Sequence, residues 1–440
     1  MADGLIIAAP ASGSGKTTLT LGLLRQLARR GVAVTAAKVG PDYIDSAFHT
    51  AACGPDCLNL DTWAMRPETV ATLIDRLGDG AALTVCEGVM GLFDGAFVPP
   101  GQSDGSSADL AALTGWPVVL VIDGRGMTGS AAAVLAGFAR LRPDLRVTGV
   151  VFNRVAGERH RAAIAAACAA ACPEVRLLGF IPPAPALEMP SRHLGLVQAC
   201  ERGDLAGFLD AAADLVAAHL DIEALVALAR PSCLAAGRET GPLPPLGQSI
   251  AVARDEAFAF AYPAVLEGWR RAGADLGFFS PLADQGPDPA ADAVYLPGGY
   301  PELHAGRLAG NAGFAGGLRA AAARGATIYG ECGGYMVLGR TLVDADGLGH
   351  PMAGLLGLET SFARRRLHLG YRRVSLRGAM ALGVPGAGFR GHEFHYASVV
   401  REEGTALFDA ADAGGRSLGA CGLIDGVVSG SFVHLIDRHQ

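Results

Sequence analysis

Short apolar runs alternate with longer amphipathic ones along the first half of the chain. Residues 5–9 are apolar throughout and open onto glycines, residues 15–30 place apolar side chains at helical spacing, and residues 32–38 are again short and apolar. The series continues with strand-like runs at 82–87, 118–123, 147–153 and 176–181, and helical stretches at 130–141 and 158–172 separate the last of these. Strands that are apolar on both faces and alternate with helices specify a parallel sheet covered on both sides.

The pattern breaks near residue 230. Residues 237–247 are rich in Gly and Pro and carry little apolar periodicity, which is the composition of a linker. A second alternating series follows, with strands expected at 250–253, 293–296 and 326–329 and helices at 264–272, 312–324 and 335–342. From 355 to 434 the chain is richer in β-like and turn-like segments. The expectation is an α/β protein of two domains, 1–235 and 249–440, joined by a linker at 236–248.

Composition narrows the function. The 440 residues are half hydrophobic, with 36 basic and 43 acidic side chains and a net charge of −7; mean hydropathy is +0.30. That excludes disorder as the main state and leaves no basic excess to neutralise nucleic-acid phosphates. No apolar run reaches the roughly 18 residues needed to span a bilayer, and the first residues lack the basic segment of a secretory signal. A cytoplasmic protein with no nucleic-acid or membrane partner is expected, and a homodimer is the working expectation for assembly. The nine cysteines are odd in number and irregularly spaced. Cys53/Cys57 and Cys168/Cys172 have the spacing of half a metal site, but buried thiols are the commoner reading. Of the 36 basic residues only Lys16 and Lys38 are lysines, which marks both as positions where a compact ammonium is required.

Residues 10–18 read Pro-Ala-Ser-Gly-Ser-Gly-Lys-Thr-Thr between a strand and a helix. This is the context of a phosphate-binding loop, although Pro10 stands where the full pattern has glycine. Gly13 and Gly15 let backbone N–H groups close on phosphates, with Thr18 opening the helix whose N-terminus faces them. Lys16 is expected to reach the β- and γ-phosphates of ATP and the Thr17 hydroxyl to bind Mg²⁺. Lys38 ends the second strand, and Asp42 and Asp45 follow in a loop at its C-terminal end, where ligands of such sheets bind. Lys38 suits a transferring phosphoryl group. Glu87 ends a third strand beside the loop, as a metal-holding acid does. The metal set is thus Thr17, Asp42 and Glu87, with Asp45 and Asp94 as polar contacts to the substrate. Asn153 ends another strand; its amide can pair with adenine or cap the strand.

In the second half, Gly330-Glu331-Cys332-Gly333-Gly334 lies between a strand and a helix. It is the thiol counterpart of a nucleophile elbow, and the following helix N-terminus favours the thiolate. The backbone N–H groups of Gly299 and Gly333 are candidates for an oxyanion hole, and His434 for the base.

Together with Gly40-Pro41-Asp42-Tyr43-Ile44-Asp45, Glu87-Gly88-Val89-Met90-Gly91-Leu92-Phe93-Asp94-Gly95, Leu296-Pro297-Gly298-Gly299-Tyr300-Pro301-Glu302 and Gly391-His392-Glu393-Phe394-His395-Tyr396, these motifs resemble the cobyrinic acid a,c-diamide synthase family, hydrogenobyrinic acid enzymes included. The resemblance spans nearly the whole chain. It implies a dethiobiotin-synthetase-like ATP domain and a flavodoxin-like class I glutamine amidotransferase domain. Cys332 would release ammonia from L-glutamine, and Mg-ATP would phosphorylate the a and c carboxylates of hydrogenobyrinate or cobyrinate for amidation. Ordinary class I glutaminases carry a glutamate two residues after the histidine. Ile436 occupies that position, so the resemblance assigns His434 no orienting acid. Arg364, Arg365, Arg366, Arg372 and Arg373 read as a solvated face or as carboxylate contacts to the substrate. Alternative readings are nickel sirohydrochlorin as substrate, cobyric acid synthesis as the step, a free-standing Cys hydrolase, and a partitioning-type ATPase with a glutamine-sensing domain. The last lacks its signature lysine, for which Ala11 stands.

Overall fold

The computed structural model describes residues 3–187, 191–192, 195–196, 198–235 and 241–439. The chain divides into two compact units: residues 1–63, 70–95 and 101–239 form one, and residues 64–69, 96–100 and 240–440 the other. Of the expected linker, residues 236–240 lie outside the described residues; Leu243 and Leu246 beyond them are buried.

The first unit is built on strands β1 (Asp3–Ala8), β2 (Val34–Val39), β3 (Leu58–Leu60), β4 (Leu83–Glu87), β5 (Val118–Asp123), β6 (Val147–Asn153) and β7 (Arg176–Ile181). They are ordered β3-β2-β4-β1-β5-β6-β7, and each neighbouring pair is parallel. The fully buried run Leu5–Ile7 explains why β1 sits centrally. Helix α1 (Lys16–Arg29) covers the sheet with Leu19, Leu23, Leu24 and Leu27. A Cβ on Gly22 of α1 would lie 2.4 Å from the Ala212 carbonyl, so helix α3 (Leu205–His219) crosses there. Arg25–Asp210 at 2.7 Å and Arg29–Asp214 at 2.8 Å lace the exposed edge of that pair. Helix α2 (Tyr43–Cys53) follows β2, where the sequence suggested only a loop.

The second unit carries a ten-stranded sheet. Its parallel part comprises β8 (Ser249–Ala253), β9 (Asp275–Phe279), β10 (Ala293–Leu296), β11 (Thr327–Glu331) and β16 (Val428–Ser431), in the order β9-β8-β10-β11-β16. This is the 2-1-3-4-5 order of flavodoxin-like sheets. Strands β12 (His368–Leu376), β13 (Gly388–His395), β14 (Thr405–Asp412), β15 (Ser417–Asp425) and β17 (Val433–His439) extend it antiparallel. Helix α4 runs from Gly333 to Leu338 only. The sequence suggested it would continue to 342, but Gly339 ends it and Thr341–Val343 pairs as a strand. No described helix is long and apolar enough to cross a membrane.

Candidate active sites

The loop between β1 and α1 turns on Gly13 and Gly15, whose φ angles are 78° and 94°. A Cβ on Gly15 would also fall 2.2 Å from Asn153 Nδ2, so only glycine fits there. Asn153 buttresses the loop from β6: Nδ2 donates to the Ser14 carbonyl at 2.9 Å, and Oδ1 accepts from the Arg154 N–H at 2.9 Å. One donor and one acceptor of that amide are therefore committed to the chain itself. Arg154 spans from Asp123 Oδ2, at 2.7 Å, to the Gly13 carbonyl, at 2.9 Å. Gly13, Gly15, Lys16, Thr17, Thr18 and Asn153 line one cavity of about 450 Å³. The Thr18 hydroxyl donates to the Leu187 carbonyl at 3.1 Å.

Beside the loop, the ends of β2 and β4 bring a buried charge cluster together. Lys38 Nζ donates to Asp45 Oδ2 at 2.7 Å and to Glu87 Oε1 at 3.0 Å. The same Glu87 oxygen accepts from the Thr17 hydroxyl at 2.6 Å, and Oε2 pairs with His49 Nε2 at 2.6 Å. Burial alone would raise the Glu87 carboxyl, but Lys38 and His49 hold it far below the usual carboxylate range. Burial works against the Lys38 charge, yet Asp45 and Glu87 hold its ammonium well above its ordinary value. Lys16 Nζ donates to the Met90 carbonyl at 2.5 Å, and burial lowers its pKa.

The two aspartates after β2 differ from the expected loop pair. Asp42 caps α2: its Oδ1 accepts from the Ile44 N–H at 2.9 Å and the Asp45 N–H at 3.0 Å. Burial and the Asp45 charge push its carboxyl up to about 6. Asp45 lies in the first turn of α2, and it is Asp45, not Asp42, that shares Lys38 with Glu87. Asp94 is exposed; its Oδ2 accepts from the Gly91 N–H at 2.9 Å and closes a turn.

In the second unit Cys332 follows β11 with φ 48° and ψ −104°, a strained conformation for a residue with a Cβ. Its N–H donates to the Ser431 carbonyl at 2.8 Å. The glycines around it are there for close approach: a Cβ on Gly334 would lie 2.0 Å from the Leu296 carbonyl, and one on Gly333 3.0 Å from Gly299 N. Gly299 and Gly333, the two expected oxyanion donors, are thus adjacent. A Cβ on Gly298 would fall 2.3 Å from His434 Cε1 and 3.3 Å from Cys332 Cβ, so thiol and imidazole flank one glycine. His434, on β17, is fully buried and lies opposite His392 of β13. Burial, with His392 and His395 nearby, lowers its pKa to about 3. Burial, then Glu302 and Glu393, pushes the Cys332 thiol well up. Both shifts favour a neutral thiol and a neutral imidazole over the ion pair.

Two partners were not visible in the sequence. Glu331 Oε2 stands 4.0 Å from His434 Nδ1, contributed by the residue that precedes the thiol. No spacing rule links residues so far apart in the chain. His49 lies four residues after Asp45 on α2, a spacing that places both on one helix face.

Arg372, a candidate contact for a substrate carboxylate, is engaged with a carboxylate of the chain itself. Its Nε donates to Glu393 Oε2 at 2.6 Å, with both side chains largely buried. Arg364, Arg365 and Arg366 are exposed. Among the described residues, His368, Glu393 and His395 bring ligand-type atoms within 4.8 Å of one another. Arg372 already supplies the cation there, which argues against a metal at that position.

Comparison with known proteins matches both units. Residues 5–197 match the CobQ/CobB/MinD/ParA nucleotide binding domain and residues 249–440 the CobB/CobQ-like glutamine amidotransferase domain. The chain is 56% identical over 437 residues to a hydrogenobyrinate a,c-diamide synthase of Brucella abortus, covering 99% of this chain and 98% of that protein. It is 53% identical to one from Sinorhizobium sp, with 99% of each chain covered, and 52% identical to one from Rhodobacter capsulatus, with 98% of each covered. The chain belongs to the hydrogenobyrinate a,c-diamide synthase family. Membership makes it an ATP-using, glutamine-dependent amide-forming ligase of cobalamin biosynthesis.

Proposed function

We propose that the chain converts the a and c carboxylates of hydrogenobyrinate to amides, using ATP and L-glutamine. The observation that carries this reading is the presence of two complete clusters in one chain whose relatives are 52–56% identical over nearly their full length. Residues 1–235 are assigned to the amide synthase domain, 236–248 to the linker and 249–440 to the glutaminase domain. The chain acts in the cytoplasm as a homodimer and needs no nucleic acid or membrane.

In the glutaminase domain the Cys332 sulfur attacks the carboxamide carbon of glutamine while His434 takes the thiol proton. The N–H groups of Gly299 and Gly333 receive the developing oxyanion. His434 returns the proton to the leaving nitrogen, ammonia departs, and water hydrolyses the glutamyl thioester to glutamate. In the synthase domain a substrate carboxylate oxygen attacks the γ-phosphorus and ADP leaves. Ammonia then attacks the acyl phosphate, and phosphate leaves as the amide forms. Lys16 and Lys38 face the transferring phosphoryl group, Gly13, Gly15 and Thr18 cradle the phosphates, and Asn153 holds the loop in place. Asp94 and Asp45 are assigned to the substrate side.

The oxygens at this site fit Mg²⁺. The Thr17 hydroxyl and Glu87 carboxylate meet at 2.6 Å beside Lys16, with Asp45 and the free Asp42 oxygen close by, a hard-oxygen set. Thr17, Glu87 and the Oδ2 of Asp42, which is not used in capping α2, would hold the ion, which when bound neutralises phosphate charge.

The test is a mass-spectrometric assay with Mg-ATP, glutamine and one of hydrogenobyrinate, cobyrinate or nickel sirohydrochlorin. Two carboxylates of hydrogenobyrinate become amides; Cys332→Ala abolishes this with glutamine and keeps it with free ammonia. Glutaminase and ATPase turnover without amidation of hydrogenobyrinate would overturn the substrate assignment.

A further inference from the structure

The orienting acid of ordinary class I glutaminases has no counterpart at Ile436, which is buried and apolar. A neutral imidazole that must accept a thiol proton at one nitrogen needs its other nitrogen fixed. We infer that Glu331 is the acid that orients His434, so that one dipeptide, Glu331-Cys332, supplies both the nucleophile and the support for its base. This deepens the glutaminase reading given above and rests on it.

Three observations carry the assignment. The Glu331 carboxylate lies on the Nδ1 side of the imidazole, with Oε2 4.0 Å from Nδ1, while Cε1 and Nε2 are the ring atoms that border Gly298 beside Cys332. Such contacts are commonly long without substrate and tighten as the base becomes cationic. The other oxygen, Oε1, accepts from the Leu435 N–H at 3.1 Å. Glu331 therefore grips the backbone of β17 one residue past His434, which fixes ring and carboxylate in one frame. Finally, Glu331 is itself held. The Tyr295 hydroxyl of β10 donates to Oε2 at 2.8 Å, and only 2% of the residue is exposed. A buried acid at the end of a strand needs a reason, and neither Leu435 nor Tyr295 requires a charge.

The environment also sets when the carboxylate exists. Burial raises the Glu331 carboxyl to about 7, opposed by its bonds to Leu435 and Tyr295. The groups that face it are the Tyr295 and Tyr329 hydroxyls, the Leu435 N–H, His434 and Cys332. None is a resident cation, so the charge is stabilised best when His434 carries the thiol proton. Glu331 is thus a positioning residue that acts through His434 and touches no substrate atom.

The decisive variant is Glu331→Gln in the full chain. Glutamine keeps an acceptor for Leu435 and a partner for Tyr295 but cannot become an anion, so a purely structural role would survive it. Glutaminase kcat is expected to fall about 100-fold, within the range of a lost proton-transfer support, while the glutamine KM stays within about 3-fold. The parent's glutaminase rate is expected to rise through about pH 7 as Glu331 ionises, and this ascending limb should disappear in Glu331→Gln. Amidation driven by free ammonia stays at the parent rate, which reports on the ligase reading independently. Loss of ammonia-driven amidation in the parent itself would count against that reading, not this one. Glu331→Gln retaining glutaminase within about 3-fold, with Glu331→Ala losing it, would overturn the orienting role and leave a structural grip. If Glu331→Gln does not fold, the parent profile decides alone: a flat rate between pH 6 and 8 overturns the assignment.

Discussion

Replacing Lys38 with Met removes a charge while leaving most of the volume. The ammonium is 2.7 Å from Asp45 and 3.0 Å from Glu87, and the three side chains are 4%, 8% and 1% exposed. Removing one partner of such a buried pair leaves uncompensated charge and costs about 3–5 kcal/mol. The loss depends on pH in a fixed direction. In the parent, Glu87 titrates far below its ordinary value because Lys38 and His49 outweigh burial. Its contribution is present above the unfolded carboxylate pKa and lost only in strong acid. In Lys38→Met burial gains on the remaining partners, and the folded-state pKa of Glu87 rises. The variant then recovers stability by taking up a proton as pH falls through that raised value, at about 1.4 kcal/mol per pH unit. The gap between parent and variant is therefore widest near pH 8 and narrows toward pH 5. The assay is hydrogen exchange in graded urea, read on peptides from β1, β2 and β4, with peptides from β8, β10 and β11 as the internal control. A gap below about 1 kcal/mol at pH 8, or one that stays constant to pH 5, would refute the reasoning, because either result means Lys38 does not neutralise these acids. Mg²⁺ at millimolar concentration should stabilise the variant more than the parent, since a divalent ion can replace the missing cation.

Other substitutions probe the remaining geometry. Gly334→Ala places a Cβ 2.0 Å from the Leu296 carbonyl and should destabilise the second unit by about 3 kcal/mol, measured in the same exchange experiment. Asp42→Ala removes the α2 cap and should cost about 1 kcal/mol in the first unit. Arg372→Ala strands the buried Glu393 and should lower glutaminase kcat several-fold while the KM for hydrogenobyrinate stays at the parent value; a raised KM with intact glutaminase would restore the substrate role suggested by the arginine cluster. Light scattering should give twice the chain mass of 44.9 kDa if the chain is a homodimer.

Legibility in the sequence followed the range of the physics. The apolar runs of β1, β4 and β5 are buried on both faces and could be read directly, as could the glycines around Lys16 and Cys332. Helix α2 is hard to read from sequence because its N-cap, Asp42, and first-turn acid, Asp45, suit a ligand-binding loop equally well. The end of α4 escaped because Tyr335–Leu338 and Thr341–Val343 are continuous in hydrophobicity and only Gly339 divides them. Arg372 escaped for a different reason. Five arginines within ten residues look alike in sequence, and only the pairing of β12 with β13 sets one of them against Glu393. Glu331 and His434 are joined by sheet packing across more than a hundred residues, and no local pattern records it.

The two sites handle charge in opposite ways, and this bears on how they work. Around Glu87 and Lys38 the charges are present at rest and neutralise one another inside the protein, so the proposed ATP site is organised before any ligand arrives. Around Cys332 the same low dielectric works against charge: the thiol is pushed up, the imidazole down to about 3 and the neighbouring Glu331 carboxyl up to about 7, where its two forms are close to balance. Moving a proton from Cys332 to His434 in the empty pocket opposes two shifts at once. The move becomes favourable only as charge of the opposite sign appears on both sides, an oxyanion facing Gly299 and Gly333 and an anion at Glu331. On the proposed mechanism the thiolate therefore forms only once a carboxamide occupies the oxyanion hole, which suits an enzyme that gains nothing from hydrolysing glutamine idly. Alkylation of Cys332 by a neutral reagent that offers no oxyanion should accordingly be slow at pH 7, while a glutamine-like electrophile should label it rapidly. Equal rates for the two reagents would show that the thiolate exists before substrate arrives and would contradict this account of the site.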